Sequence, residues 1–243
     1  MHMHHIRRGC GTPLVLVHGL GSTWRSWRPI LDGLAAEREV IAVDLPGHGE
    51  TPPLPCPVTF AKLADAMAAF LEAQNLNGAA VAGSSMGARL VLELARRGAV
   101  GATVSLDPGG FWQGWERHAF YASLAASIRL VRLLQPTMPA LTARAAGRAM
   151  LFAQFSAHPA RLPADLALDE MRSFAASPSF DALLKDLAYG EEQKGAPPGA
   201  TRGPVTIGWG KKDRVCLPVQ AARALKKFPG AEVHWLDDCG HFP

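Results

Sequence analysis

No apolar run in this 243-residue chain approaches the roughly 18 uninterrupted residues that a membrane-spanning helix needs. The opening MHMHHIRRGCG has no apolar stretch ahead of its small residues, so no secretory signal is read there. Cysteines number only four, and Cys10, Cys56, Cys216 and Cys239 share no close ligand spacing, which argues against zinc. Unclustered thiols without an export signal fit a reducing cytoplasm. Charge imbalance is also small: 25 Lys and Arg against 21 Asp and Glu give a formal +4. No basic stripe interleaved with aromatics is present, so neither nucleic acid nor a membrane is an expected partner. His2, His4 and His5 could imitate a metal site, but they read as a frayed first strand or an appended remnant. No metal and no organic cofactor is expected.

What the chain does have is length and apolar content for a large core. At 243 residues it suits one large domain, or a core with an inserted subdomain. A chain of this size buries about three-quarters of its unfolded surface without staples. TPLVLVHG at 12–19 is a short apolar β-rich run ended by glycine, and REVIAVDLPGHG at 38–49 repeats that design. SWRPILDGLAAE at 26–37 lies between them as a crossover helix. Residues 59–74 place Phe60, Leu63, Ala64, Met67, Phe70 and Leu71 on one helical face. GAAVAGSS then reads as a strand, MGARLVLELARRG as a helix stopped by Gly98, and GATVSLDPGG as another strand. Strands alternating with helices imply a mostly parallel sheet buried on both faces. The alternation stops after Gly110, and residues 111–200 carry helical patterns with no convincing strand. PVTIGWG, a helix near 218–228 and AEVHWLDD resume the sheet. The expected fold is therefore α/β, a mostly parallel central sheet flanked by helices. Its core would comprise 1–110 and 201–243, with a helical cap at 111–200 inserted into it.

Two adjacent serines stand between glycines in AVAGSSMGARL, residues 80–90. Gly83-Ser84-Ser85-Met86-Gly87 is G-x-S-x-G centred on Ser85, whereas centring on Ser84 would put Ala82 and Met86 where small, flexible residues are required. A tight strand-to-helix turn of this kind holds the serine in a strained backbone conformation, and a Cβ at either flank would strike a neighbouring strand or helix. The turn lifts the hydroxyl clear of the sheet and aims the next helix's N-terminus at developing negative charge. Ser85 is the candidate nucleophile and Ser84 a packing residue. HGLGST, at 18–23, is a glycine-rich loop after a buried strand; it offers the N–H of Leu20 opposite that of Met86 as an oxyanion hole. The His18 side chain is read as shaping that loop. Asp213 in GKKDRV and His241 in DDCGHFP each follow a strand, so Ser85, Asp213 and His241 fall on one edge of a parallel sheet. His241 would take the serine proton, with Asp213 fixing its tautomer and stabilising the imidazolium. Asp107, ending TVSLD, is the alternative acid. Asp44, Asp237 and Asp238 read as loop-capping carboxylates, His118, His158 and His234 as surface or packing residues, and Cys239 as a small buried residue beside His241.

HGLGST, DLPGHGET, GSSMGA, WGKKDRV and CGHFP together resemble the α/β-hydrolase family, in order and over essentially the whole chain. The resemblance implies Ser85 as nucleophile, Asp213 as acid, His241 as base, Leu20 and Met86 as oxyanion donors, and a helical cap between the sixth and seventh strands. Members usually begin with a strand hairpin, for which the stretch before PLVLV leaves little room, so the sheet is expected to be one strand short. They also continue past the histidine into a final helix. Here the quoted chain stops soon after His241, and a fraying end is expected to loosen that residue. Members with an aspartate nucleophile, the haloalkane dehalogenases and epoxide hydrolases, do not fit an elbow centred on Ser85.

GGFWQGWERHAFY opens the inserted segment with a concentration of aromatics. Phe111, Trp112 and Trp115 are the expected substrate contacts of an apolar acyl or alcohol pocket, the alternative being that they weld the cap to the core. Leu133, Leu134, Met138, Phe152 and Phe155 read as cap core. The leading expectation is a carboxylesterase that cleaves small to medium apolar esters through an acyl-enzyme on Ser85. The alternatives are a C–C hydrolase of ring-cleavage dienoates, a lactonase, and a hydrolase-fold ligand receptor. The dienoate branch commonly has Asn before the serine and a second glycine after the motif, where this chain has Ser84 and Ala88.

Overall fold

Short apolar runs form the middle of one sheet in the computed structural model of the chain, which describes residues 2–242. Met1 and Pro243, the outermost residues of the expected core, lie outside the described residues. The strands are β1 (His5–Arg8), β2 (Pro13–Val17), β3 (Glu39–Val43), β4 (Ala80–Ser84), β5 (Thr103–Leu106), β6 (Val205–Gly210) and β7 (Glu232–Leu236). They lie in the order β1-β3-β2-β4-β5-β6-β7, and each neighbouring pair is parallel except β1 on β3. A single antiparallel strand therefore stands where the resemblance implied a hairpin. The histidine-rich start builds it: His4 pairs through Nδ1 with Asp44 Oδ2 at 2.8 Å, its amide donates to Thr51 Oγ1 at 2.8 Å, and His5 opens the strand.

Side-chain alternation sorts the sheet's two faces. Leu16, Val40 and Ala42 pack with Trp27 and Leu31 under α1 (Arg28–Ala35), while Val15, Val17, Ile41 and Val43 face the larger cluster. The expectation of burial on both faces fails at β7, an edge strand whose Glu232, His234 and Trp235 are exposed. On the larger face lies α2 (Phe60–Ala73), with all six expected apolar residues buried. Burying each large one contributes about 1.5–3 kcal/mol. Thr59 caps that helix, accepting from Lys62 N–H at 3.3 Å. Next to it, α3 (Met86–Arg96) stops at Gly98, whose φ of 70° lets Gly98 N–H reach Ala95 O and Ala99 N–H reach Leu94 O.

After β5 the chain runs through α4 (Glu116–Leu133), α5 (Met138–Ala143), α6 (Ala145–Leu151), α7 (Ala164–Ala176) and α8 (Phe180–Tyr189) before β6, and α9 (Ala221–Lys227) leads to β7. The insertion thus follows the fifth strand here, one fewer than the resemblance implied, as the single strand before β2 requires. Buried and half-buried polar groups tie it down. Glu116 Oε1 accepts from Arg223 Nη2 at 2.9 Å, and Asp186 Oδ2 accepts from Phe60 N–H at 2.7 Å. The buried Arg89 guanidinium lies 4.3 Å over the Phe60 ring and donates to Leu187 O at 3.2 Å. Among the described residues, no helix is long and apolar enough to cross a membrane.

Candidate active site

Strand β4 ends at Ser84 and α3 begins at Met86, leaving Ser85 alone in the turn with φ 56° and ψ −114°. A non-glycine residue holds such a conformation at roughly 1–3 kcal/mol, so the surroundings must enforce it. Ser85 N–H donates to Leu106 O at 2.9 Å, and Ser85 O accepts from Arg89 N–H at 3.0 Å. The flanking glycines serve close approach. A Cβ on Gly83 would lie 2.3 Å from Gly87 O, and one on Gly87 would lie 2.3 Å from Val17 O and 2.5 Å from His18 O. The spacing of G-x-S-x-G is thus the spacing at which helix α3 crosses both β4 and the end of β2.

The three residues taken from strand ends come together. His241 Nε2 lies 2.8 Å from Ser85 Oγ, and His241 Nδ1 lies 2.9 Å from Asp213 Oδ2. Asp213 Oδ1 accepts from the amides of Val215 at 2.7 Å and Cys216 at 3.0 Å, so its second oxygen is left for the imidazole. The tautomer that donates Nδ1–H to Asp213 Oδ2 leaves Nε2 free to accept from the serine hydroxyl. The expected loosening of His241 is not found: it is 2 % exposed. Phe242 anchors the segment, stacking on Phe155 at 5.3 Å and donating its amide to Phe155 O at 2.9 Å. Gly210 lets the histidine loop approach, since a Cβ there would lie 2.2 Å from Gly240 O.

Asp107, the alternative acid, makes no hydrogen bond to the imidazole among the described residues. It ends β5 with φ 52°, its Oδ1 accepts from Gly210 N–H at 2.8 Å, and its Oδ2 is buried without a partner among the described residues. Burial, reinforced by the neighbouring Asp213 carboxylate, pushes it up to about 9. Burial beside a second carboxyl on the adjacent strand end thus favours the neutral form of Asp107.

The glycine loop passes over the serine: a Cβ on Gly19 would lie 3.2 Å from Ser85 Cβ. Leu20 N–H and Met86 N–H have no hydrogen-bond partner among the described residues, the latter as a first-turn amide of α3. His18 holds the loop, Nδ1–H donating to Gly19 O at 2.7 Å and Nε2 accepting from Leu45 N–H at 2.9 Å. Burial brings His18 down to about 4, and burial together with His18 brings the adjacent His48 down to about 3. Asp44 caps loops as expected of it, its Oδ1 accepting from Trp24 N–H at 2.8 Å.

A cavity of about 820 Å³ opens over Ser85 and His241. Its wall is mostly apolar: Leu124, Ile128 and Val131 face it from α4, Phe155 follows α6, and Phe174 comes from α7. The aromatic contacts expected of Phe111, Trp112 and Trp115 are not there. Phe111 is buried near Trp209, Trp112 stacks on Phe120 at 4.4 Å, and Trp115 is 67 % exposed. They lie before or at the start of α4, and later turns of that helix form the wall, so Phe111 and Trp112 join the insertion to the core. Phe152 and Phe155, read as cap core, line the cavity, and Leu133 is exposed. Glu170 on the wall was missed. Its signal was a charge on the helical face shared by Ala167, Met171 and Phe174.

Among the described residues, Asp213, Cys216 and His241 are grouped closely enough to ligate a metal. Asp213 and His241 are already paired with each other, and burial with the nearby carboxylates pushes the Cys216 thiol well up, against thiolate formation.

Over 95% of its length the chain is 31% identical to the dihydrolipoyllysine-residue acetyltransferase component of the acetoin cleaving system of Pseudomonas putida, of which it spans 59%. The enol-lactonase from Burkholderia xenovorans LB400 superposes with a TM-score of 0.76 at 19% identity, over 99% of this chain and 89% of that one. The thermophilic esterase from Thermogutta terrifontis gives 0.73 at 19%, over 99% and 86%. At such identities the two structures share the fold with this chain. The sequence relation reaches further, because residues 14–243 match the family described as "Alpha/beta hydrolase family", and this chain belongs to the alpha/beta hydrolase family.

Proposed function

We propose that this chain is a serine hydrolase that cleaves small to medium apolar carboxylic esters through an acyl-enzyme on Ser85. The observation that carries the reading is the unbroken run from Ser85 Oγ through His241 to Asp213 at the floor of an apolar cavity. Ser85 Oγ attacks the carbonyl while His241 Nε2 takes its proton, and Asp213 stabilises the imidazolium. The tetrahedral oxyanion rests on the free amides of Leu20 and Met86, aided by the α3 N-terminus. His241 then protonates the leaving alkoxide, and a water deprotonated by the same ring releases the acid. The helices at 111–200 act as a cap whose α4 and α7 exclude water from the acyl group. Four free cysteines fit a reducing compartment, the cytoplasm.

Steady-state and burst kinetics with p-nitrophenyl butyrate, a lactone and a 2-hydroxy-6-oxo-dienoate test the reading. The expected result is ester turnover with a burst, both lost in Ser85→Ala by about 10³-fold or more. Ser85→Ala turning over the ester at the wild-type rate would end the proposal. Dienoate cleavage with negligible ester cleavage would assign a C–C hydrolase, lactone preference a lactonase, and saturable binding without turnover a ligand receptor.

A further inference from the structure

Among the described residues, the cavity wall carries one carboxyl group, that of Glu170. It projects from the apolar face of α7 and is 6 % exposed. Its Oε1 accepts from Ser22 Oγ at 3.1 Å, while Oε2 is buried without a partner among the described residues. Burial pushes the group up to about 7, with the Asp169 charge adding to this and the Ser22 bond and Arg28 opposing it. Tying α7 to the glycine loop explains Oε1 but leaves Oε2 unexplained, because buried acceptors are ordinarily satisfied.

Position gives the second oxygen a use. Ser22 follows Leu20 by two residues, so their Cα atoms are at most about 7.6 Å apart. Ser22 and Glu170 line the same cavity as Leu20, Ser85 and His241, so the carboxyl that Ser22 holds borders the space a substrate chain would occupy beyond a carbonyl seated at Ser85. Ala167, Phe155 and Phe174 on the wall carry no side-chain donor, and Trp27 Nε1, also of a wall residue, is itself buried without a partner among the described residues. We infer that Glu170 is a specificity-determining residue whose Oε2 accepts a hydrogen bond from a hydroxyl on the acyl or alcohol chain of the substrate, so that hydroxylated esters are preferred over plain ones. This rests on the ester-hydrolase reading above. A neutral hydroxyl suits the site because a carboxyl accepts from it in either protonation state, whereas an ammonium would bring its own desolvation cost into an apolar wall.

The test compares kcat/KM for ethyl hexanoate with ethyl 3-hydroxyhexanoate and ethyl 5-hydroxyhexanoate, and for butyl butyrate with 4-hydroxybutyl butyrate. In the wild type at least one hydroxylated ester should exceed its plain partner by about tenfold or more. Glu170→Met should bring that ratio to about one, and Glu170→Gln, which retains a carbonyl acceptor, should keep part of it. Each ratio comes from one preparation, so a lowered folded fraction cancels. A wild-type ratio near one for every pair, or a ratio unchanged in Glu170→Met, overturns the assignment. Titration calorimetry of the same pairs with Ser85→Ala reads the preference without turnover: tighter binding of the hydroxylated ester supports it and equal affinities overturn it. Plain esters cleaved without a hydroxyl preference would sink this inference alone, whereas no ester cleavage and no labelling of Ser85 would sink the parent reading.

Discussion

Replacing Gly87 by alanine puts one carbon where the fold has no room for it. The new Cβ would lie 2.3 Å from Val17 O and 2.5 Å from His18 O, both backbone atoms at the end of β2. Carbon–oxygen contacts relax to about 3.3 Å, so α3 must retreat by about 1 Å. Its first turn carries Met86 N–H, and the Ser85 Oγ precedes it by one residue, while Leu20 stays with the loop after β2. The retreat therefore widens the gap between the Leu20 and Met86 amides, the proposed oxyanion site, and lengthens the 2.8 Å contact to His241 together. A misplacement of 1 Å lowers rate by about 10²-fold, and overpacking a tight contact destabilises by about 1–3 kcal/mol. The control is Gly33→Ala on α1, where the added Cβ meets nothing within 4 Å. That change should stabilise the helix by about 0.5–1 kcal/mol and leave kcat alone. Ester kinetics, the rate of fluorophosphonate labelling and urea titrations on both variants read these effects. A Gly87→Ala enzyme that labels at the wild-type rate would refute the argument that this glycine sets the oxyanion geometry.

Two further results follow from the buried titratable groups. Asp213→Asn should lower kcat by roughly 10³–10⁴-fold, because an amide presents an N–H donor where Nδ1–H needs an acceptor, whereas Asp107→Asn should retain most activity, Asp107 being neutral already; equal losses in the two would contradict the assignment of the acid. Stability should fall from both sides of neutrality. His18 and His48, held near 4 and 3, leave the unfolded chain to bind protons first below about pH 6.5, so stability drops on acidification through that range. Asp107, held near 9, keeps its proton while the unfolded chain loses it above about pH 4, so its share of stability declines as pH rises toward 9. Urea titrations across that range should show Asp107→Asn gaining on the wild type as pH rises, and a gain independent of pH would count against the raised value.

The sheet and the three strand-end residues were legible because each depends on local chemistry that a sequence displays. Gly83 and Gly87 mark where backbone must touch backbone, and Asp213 and His241 each follow a run that can only be a strand. Parallel pairing then brings their ends to one edge without further information. The cavity wall was not legible in the same way. Phe111, Trp112 and Trp115 look like substrate contacts because they follow β5, but which side of a helix faces the cavity depends on where α4 turns, and its later aliphatic residues line the cavity instead. Glu170 reads as an ordinary exposed charge in LALDEMRSF until α7 is seen to turn that face inward. The looseness expected of His241 failed for a tertiary reason, since Phe242 and Gly210 fix its loop from partners far away in sequence.

The most direct measurement is mass spectrometry of the protein quenched within the burst of p-nitrophenyl butyrate hydrolysis, with peptide mapping. One butyryl group on the peptide carrying Ser85, absent when His241 is replaced by alanine, is the predicted result. Rapid ester turnover with no acyl group on Ser85, or with it on another residue, would contradict the account.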